Sequence, residues 1–270
     1  MFSASTFIYN NIPSEFYGVY IGYSGKDSKA GAGESEEVAS GDVSLLTQKI
    51  FRRPQPLMYG VEQSVPFTFY LSMYAPNGGW DEGEYSKISN WLHGQQDYGI
   101  LRMCQNDLLD VYFRCIFITP QTNRYGNFIR AMNTYAQCDA PWGWKSPLTN
   151  NYSWANNYNV NENINFYNDT DNNYYTFPNP LIITASTFGG NITVTNTTDN
   201  GRQFILNALP NEVFTIDCYN QTIESNLNPL PLENFNLNWL RFLKGLNKLN
   251  ISGNILSMEM TTERAVMVGG

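Results

Sequence analysis

Ile192-Thr193-Val194-Thr195-Asn196, Phe204-Ile205-Leu206-Asn207-Ala208-Leu209 and Phe214-Thr215-Ile216-Asp217-Cys218 are three short, β-prone runs parted by Asn, Gly, Pro and Asp. They lie inside a longer stretch that opens on Phe177-Pro178-Asn179-Pro180-Leu181-Ile182-Ile183. It closes on Leu246-Asn247-Lys248-Leu249-Asn250-Ile251-Ser252-Gly253. The runs recur at roughly the 8–12-residue spacing of an antiparallel sandwich. Leu256, Met258 and Met260 alternate beyond them as a final strand. A β-sandwich is therefore expected over the second half, and the rest of the chain is placed around it.

The chain has 270 residues, long for one all-β domain and comfortable for two. The expected division is 1–145 and 146–270. Charged residues make up 15% and hydrophobic residues 42%, a balance that argues against a disordered chain. Asn, Thr, Ser, Gln and Tyr supply the polarity. Such a surface suits contact with other proteins, because neutral groups desolvate more easily than Lys or Glu. A plain low-charge β protein has the same composition.

The net charge of -8 disfavours specific binding of a nucleic-acid backbone, which needs clustered Lys and Arg. Arg52-Arg53, the only adjacent basic pair, reads as a solvated strand end. Met1 to Asn10 has neither a basic n-region nor a long apolar core, so no Sec-type signal is expected. No run reaches the roughly 18 apolar residues of a membrane span. Cys104, Cys115, Cys138 and Cys218 are far apart without a C-x-x-C pair. Free thiols are expected, a Cys104–Cys115 bridge being the alternative.

From the N-terminus, Phe7-Ile8-Tyr9-Asn10-Asn11-Ile12 and Phe16-Tyr17-Gly18-Val19-Tyr20-Ile21 read as two strands with a turn at Asn10-Asn11 or Pro13-Ser14. Ser24 to Asp42, rich in Gly, Ser and Ala, reads as a mobile loop. Strands are expected over Thr47–Phe51 and Val65–Met73, the second placing Phe67, Phe69, Leu71 and Met73 on one face. Asp81 with Glu84 resembles a capping box, and Tyr85, Ile88, Trp91 and Leu92 follow at helical spacing. The spacing predicts a helix over 82–93 with Gly94 as its C′ residue. His93, the sole histidine, is expected to meet the last helix carbonyls. Tyr98–Met103 and Val111–Ile118 form an expected hairpin, and Phe128–Cys138 another strand. Ala140-Pro141-Trp142-Gly143-Trp144 reads as a packed hinge closing the first domain, with a stacking platform as the sharper alternative. Ile164 and Phe166 suggest an irregular strand, and Asn168 to Asn173 a turn lacking the Gly and Glu of an EF-hand loop.

Catalytic signatures are missing: there is no G-x-S-x-G, P-loop, G-x-G-x-x-G or H-E-x-x-H, and one histidine cannot easily serve a triad. No enzyme activity, metal or cofactor is expected. A two-carboxylate glycosidase is the one hydrolase without a fixed spacing to look for.

The order of these features resembles the distal tail protein family of siphophages, long non-contractile-tailed bacteriophages. Phe7-Ile8-Tyr9-Asn10-Asn11-Ile12 with Glu15-Phe16-Tyr17-Gly18-Val19-Tyr20 is similar to its opening. Trp91-Leu92 followed by Tyr98-Gly99-Ile100-Leu101 is similar to the middle of its first domain. Phe128-Ile129-Arg130-Ala131-Met132 leading to Cys138-Asp139-Ala140-Pro141-Trp142-Gly143-Trp144 resembles its domain-closing strand. Phe177-Pro178-Asn179-Pro180, the runs quoted first and Leu249-Asn250-Ile251-Ser252-Gly253 resemble its second domain. The order and spacing carry the likeness; each motif alone is weak.

The resemblance implies a mainly β chain of two domains. The first is a β-sandwich with one α-helix and a hairpin that closes into a homo-hexameric ring. The second is a galectin-like β-sandwich outside the ring, generally without the galectin sugar site. It implies a non-enzymatic virion protein at the tail tip, joining the tail-tube protein to the tail-associated fibre or lysin protein and supporting receptor-binding proteins, with phage DNA passing the lumen. A closed ring needs two different, complementary patches on each subunit. The runner-up is a carbohydrate-binding β-sandwich, a receptor-binding or adhesion module using Trp142, Trp144 or Trp154.

Overall fold

The computed structural model describes residues 4–22, 43–49, 57–63, 68–76, 78–154, 159–173, 175–185 and 189–268. The Ser24–Asp42 loop, Phe51, Arg52-Arg53 and Phe67 fall outside them. The chain is mainly β, with one α-helix among the described residues. It divides into two units, Met1–Trp144 with Met267–Gly270, and Lys145–Val266.

The first unit contains β1 (Phe7–Tyr9), β2 (Ile12–Pro13), β3 (Tyr20–Ile21), β4 (Val43–Gln48), β5 (Leu57–Gln63) and β6 (Thr68–Tyr74). Helix α1 (Glu82–His93), β7 (Gly99–Met103), β8 (Val111–Tyr125) and β9 (Phe128–Cys138) follow. The main sheet is antiparallel, in the order β2-β1-β7-β8-β9-β6-β3, and β4 pairs with β5 separately.

The first hairpin has a local cause. Tyr9 pairs with Ile12, so Asn10-Asn11 alone make the turn, at φ 50° and 63°. Both central residues of a type I′ turn need positive φ, which Asn tolerates. The next expected strand is partly wrong: Ser14–Tyr17 form a 3-10 turn ended by Gly18 in the left-handed conformation, and only Tyr20–Ile21 pair. The Gly18 N–H folds back onto the Glu15 carbonyl, so Phe16-Tyr17 cannot run on as a strand.

Helix α1 has the expected bounds. Asp81 Oδ1 accepts from the Glu84 N–H at 2.7 Å, and the Asp81 N–H donates to Glu84 Oε2 at 3.0 Å. Ile88, Trp91 and Leu92 are its buried face. Gly94 differs from expectation: its φ is -81°, so no left-handed residue ends the helix. Glycine fits there because a Cβ would run into the Asn90 carbonyl. Asp81→Ala removes the side-chain half of the box, leaving the Asp81 N–H to Glu84 bond, and is expected to lower stability by about 1 kcal/mol in denaturant unfolding; Asp81→Ser should restore most of it.

β8 runs past its expected end at Ile118. Pro120 lies within it: the register shifts between Ile118 and Gln121, and Thr119 takes φ 53°. Such an irregularity is where a strand can hold proline. Pairing then continues to Tyr125–Phe128 around Gly126-Asn127.

The break expected over Ala140–Trp144 is shorter: Asp139–Trp142 are bends between β9 and β10, but β10 spans Gly143–Ser153, so Trp144 already sits in a strand and the division between units falls inside it. At Gly143 a Cβ would lie 2.6 Å from Val111 Cγ1, which leaves room only for glycine.

The second unit contains β11 (Val160–Asn168), β12 (Leu181–Ala185), β13 (Gly190–Asn196), β14 (Arg202–Ala208), β15 (Val213–Asp217), β16 (Thr222–Ser225), β17 (Gly245–Gly253) and β18 (Ile255–Val266). One sheet is β11-β17-β13-β14; β16-β15-β12-β18 run side by side in the other. Alternate residues face inward: Ile192 and Val194, Phe204 and Leu206, Phe214 and Ile216, Leu249 and Ile251 share one core with Met258 and Met260. Fully burying a side chain of this size contributes roughly 1.5–3 kcal/mol. β11 is regular, pairing with β17 along its whole length.

Candidate functional site

The three tryptophans singled out in the sequence lie in two places. In the first unit Trp144 is buried at 7% exposure, and Trp142, half-buried, meets it edge-on at 6.0 Å. The Trp144 Nε1–H donates to Asp139 Oδ1 at 3.3 Å. The Arg114 guanidinium stands 4.9 Å over the Trp144 ring and 3.6 Å from Asp139 Oδ2. Burial pushes the Asp139 carboxyl above its ordinary pKa, opposed by Trp144 and Arg114. In the second unit Trp154, 6% exposed, stacks on Tyr152 at 6.1 Å and donates from Nε1 to Glu162 Oε2 at 2.8 Å. A sugar platform needs an open ring face. Arg114 covers one face at Trp144 and Tyr152 one at Trp154, and both rings are buried.

His93 does not end on the helix carbonyls as its main contact. Its Nε2 meets Thr134 Oγ1 at 3.1 Å, and that hydroxyl donates to the Ile118 carbonyl at 2.7 Å, so Nε2 carries the proton. Burial lowers the imidazole pKa, with the Ser89 backbone opposing, so the ring is neutral at neutral pH. All four cysteines are free thiols; Cys104 is exposed and the others buried. Burial pushes the Cys218 thiol up to about 12, which makes it inert. Among the described residues no group of three or more His, Cys, Asp or Glu could hold a metal ion. The Asn168–Asn173 turn is tied down instead: Asp169 meets Lys145 and Arg264, each at 2.7 Å. Burial raises its pKa, but the two cations outweigh that and hold it low.

What the molecule offers is surface. An open cleft of about 470 Å3 in the first unit is lined by Phe16, Tyr17, Pro76 and Trp80, with Glu84 and Lys87 at its polar side. Phe16 is 75% exposed, and Tyr125 and Phe128 at the β8–β9 turn are 70% and 50% exposed. In the second unit several leucines of the segment between β16 and β17 are exposed. Sequence reading passed over that segment; the signal it held was Pro-Leu-Pro-Leu and Asn-Leu-Asn in a region without strand periodicity. No described helix is long and apolar enough to cross a membrane.

Residues 2–140 match the phage tail protein N-terminal domain family, and residues 142–262 match the phage tail C-terminal domain family. The chain belongs to the phage tail proteins. No curated protein matches the tail protein in sequence. Its fold matches the crystal structure of SPP1 Dit, described as a paradigm of the hub adsorption apparatus in phages infecting Gram-positive hosts. The TM-score is 0.62 at 8% identity, over 96% of the tail protein and 98% of that chain. A chain of the phage P2 baseplate, in its activated conformation with calcium, matches with TM-score 0.53 at 8% identity, over 84% and 88%. The strontium form gives 0.51 at 9% identity over the same shares. At these identities the likeness is one of fold, and it agrees with the distal-tail resemblance read from the sequence.

Proposed function

We propose that the tail protein is a distal tail protein: a homo-hexameric ring that joins the tail tube to the tail tip and serves as hub for host-adsorption proteins. The observation that supports this reading is a shared fold over nearly the full length of both this chain and SPP1 Dit, across both units. Residues 1–145 act as the ring-forming domain and 146–270 as the galectin-like outer domain. The work is structural: Trp144 and Trp154 hold Asp139 and Glu162 in place, and Trp142 packs edge-on against Trp144. The partners are further copies, the tail-tube protein, and the fibre, lysin or receptor-binding proteins of the tip. The net charge of -8 lets DNA pass a lumen without adhering.

Native mass spectrometry of the purified protein should give six times the chain mass of 30.7 kDa. A monomer at high concentration, with no ring in micrographs of tail tips, would overturn the reading.

A further inference from the structure

Two of the four cysteines face each other. Cys115 on β8 stands directly opposite Cys138 on β9 in the antiparallel register. The Asp139 N–H donates to the Arg114 carbonyl at 2.9 Å, so the neighbouring pair is the hydrogen-bonded one. Bonded and non-bonded pairs alternate along an antiparallel ladder. Cys115 and Cys138 are therefore a non-bonded pair, whose side chains leave the same face of the sheet and approach most closely. The Cα atoms of such a pair stand about 4.5 Å apart, within the span that a disulfide bridges.

Both are free thiols and fully buried. Burial pushes the Cys115 thiol up, and the Asp139 carboxylate adds to it. Burial, Cys115 and Asp139 together push Cys138 up. Thiols held protonated in this way exchange slowly. The other two cysteines have no such partner. Cys115 faces Gly99 on β7, several residues from Cys104, so the Cys104–Cys115 bridge weighed from the sequence is out of reach. Cys218 belongs to the second unit. A buried cysteine is ordinarily a small apolar filler. That role accounts for each residue alone, but not for two of them set opposite one another where the strand geometry admits a bridge. The pair also ends its ladder: β9 stops at Cys138, and Asp139–Trp142 are bends. End pairs open more readily than central ones, which gives a small oxidant its access.

We propose that Cys115 and Cys138 form a cross-strand disulfide when the chain meets a low-molecular-weight disulfide such as oxidised glutathione. One protein thiolate attacks the glutathione disulfide and expels one reduced glutathione, leaving a mixed disulfide. The second protein thiolate attacks the protein sulfur of that mixed disulfide and expels the other glutathione. Two protein thiols are oxidised and one glutathione disulfide is reduced. The two thiol protons end on the two glutathiones released. The bridge closes the β8–β9 hairpin and so restricts the unfolded chain. This site goes beyond the structural role proposed above and does not depend on it.

The full-length Cys104→Ser chain, which lacks the exposed thiol, is treated with glutathione disulfide in two arms: while folded, and during refolding from denaturant. After the reagent is removed and the chain denatured, an alkylating reagent should mark Cys218 alone. The intact mass should fall by about 2 Da, the two hydrogens lost. Digestion should give one linked pair of peptides, those containing Cys115 and Cys138. The oxidised first unit should melt at least about 5 °C higher, and dithiothreitol should reverse the gain. Cys138→Ala in the same background keeps a small apolar side chain and should show none of these changes. Bridging in either arm, together with the higher melting temperature, supports the proposal. If all three remaining thiols can be alkylated in both arms, it is overturned. Glutathione retained on Cys115 or Cys138, a bridge to Cys218, or a bridge that brings no rise in melting temperature overturns it equally.

Discussion

Trp91→Ala is expected to destabilise the first unit by about 3–5 kcal/mol, the range for removing a buried large aromatic. Trp91 is 5% exposed. Its ring stacks on Phe7 at 5.7 Å and 5° and packs against Tyr9 at 6.1 Å and Tyr17 at 4.9 Å. Its Nε1–H donates to the Tyr9 carbonyl at 3.2 Å. The indole is thus the point where α1 meets β1 and the 3-10 turn. The helix cannot compensate. Twelve residues are marginal for an isolated helix in water, and this one includes Gly83, Ser86, Ser89 and Asn90. Truncation should therefore open the cavity and release the helix together. Hydrogen exchange is the appropriate readout, since a two-unit chain need not unfold in one step. Amides of 82–93 and 7–9 should lose protection, whereas those of β13 and β17 should keep it. Trp91→Phe, which keeps a stacking ring but no donor, should lose about 1–2 kcal/mol. A loss below 1 kcal/mol for Trp91→Ala would show that the helix is held by other contacts.

The helix was legible because its determinants are local: a cap, an acidic residue at N3 and an apolar stripe are all within twelve residues. The β13, β14 and β15 runs were legible for the same reason, since period-two alternation needs no knowledge of partners. The misses lie where a residue's meaning depends on something distant. Phe16-Tyr17 look like strand residues, yet Gly18 turns the chain. The apolar run of β8 ends at Ile118, yet the strand continues past Pro120 through an irregularity. Trp144 and Trp154 look like binding residues in sequence because composition does not tell a buried ring from an open one. Leu227, Leu230 and Leu237 were passed over because exposure of an apolar residue cannot be read without the fold.

Asparagine is the sharpest case, because one residue type does two opposite things on β17. Asn247 is fully buried and Asn250 lies on the outer face. Asn247 Oδ1 accepts from the Leu243 N–H at 2.9 Å and from Asn196 Nδ2 at 3.1 Å. Its Nδ2 donates to the carbonyls of Leu243 at 2.8 Å and Gly245 at 3.1 Å. Asn196, also fully buried, extends this network to the Arg241 carbonyl at 3.0 Å and the Thr198 N–H at 3.1 Å. The two side chains thus satisfy the backbone where the chain enters β17 and leaves β13. Asn247→Leu keeps the volume and removes every partner, and each buried group left unpaired costs about 1–3 kcal/mol. The expected loss is about 3–5 kcal/mol, because only some of those groups can turn to water. Asn250→Leu is the control: Asn250 Nδ2 meets only the exposed Asn161 and Asn163 side chains, at 2.9 and 3.0 Å, so its loss should stay within about 0.5–1 kcal/mol. Denaturant unfolding followed on the second unit should separate the two variants by at least about 2 kcal/mol. Equal losses would mean that the Asn196–Asn247 network does not hold the sandwich together.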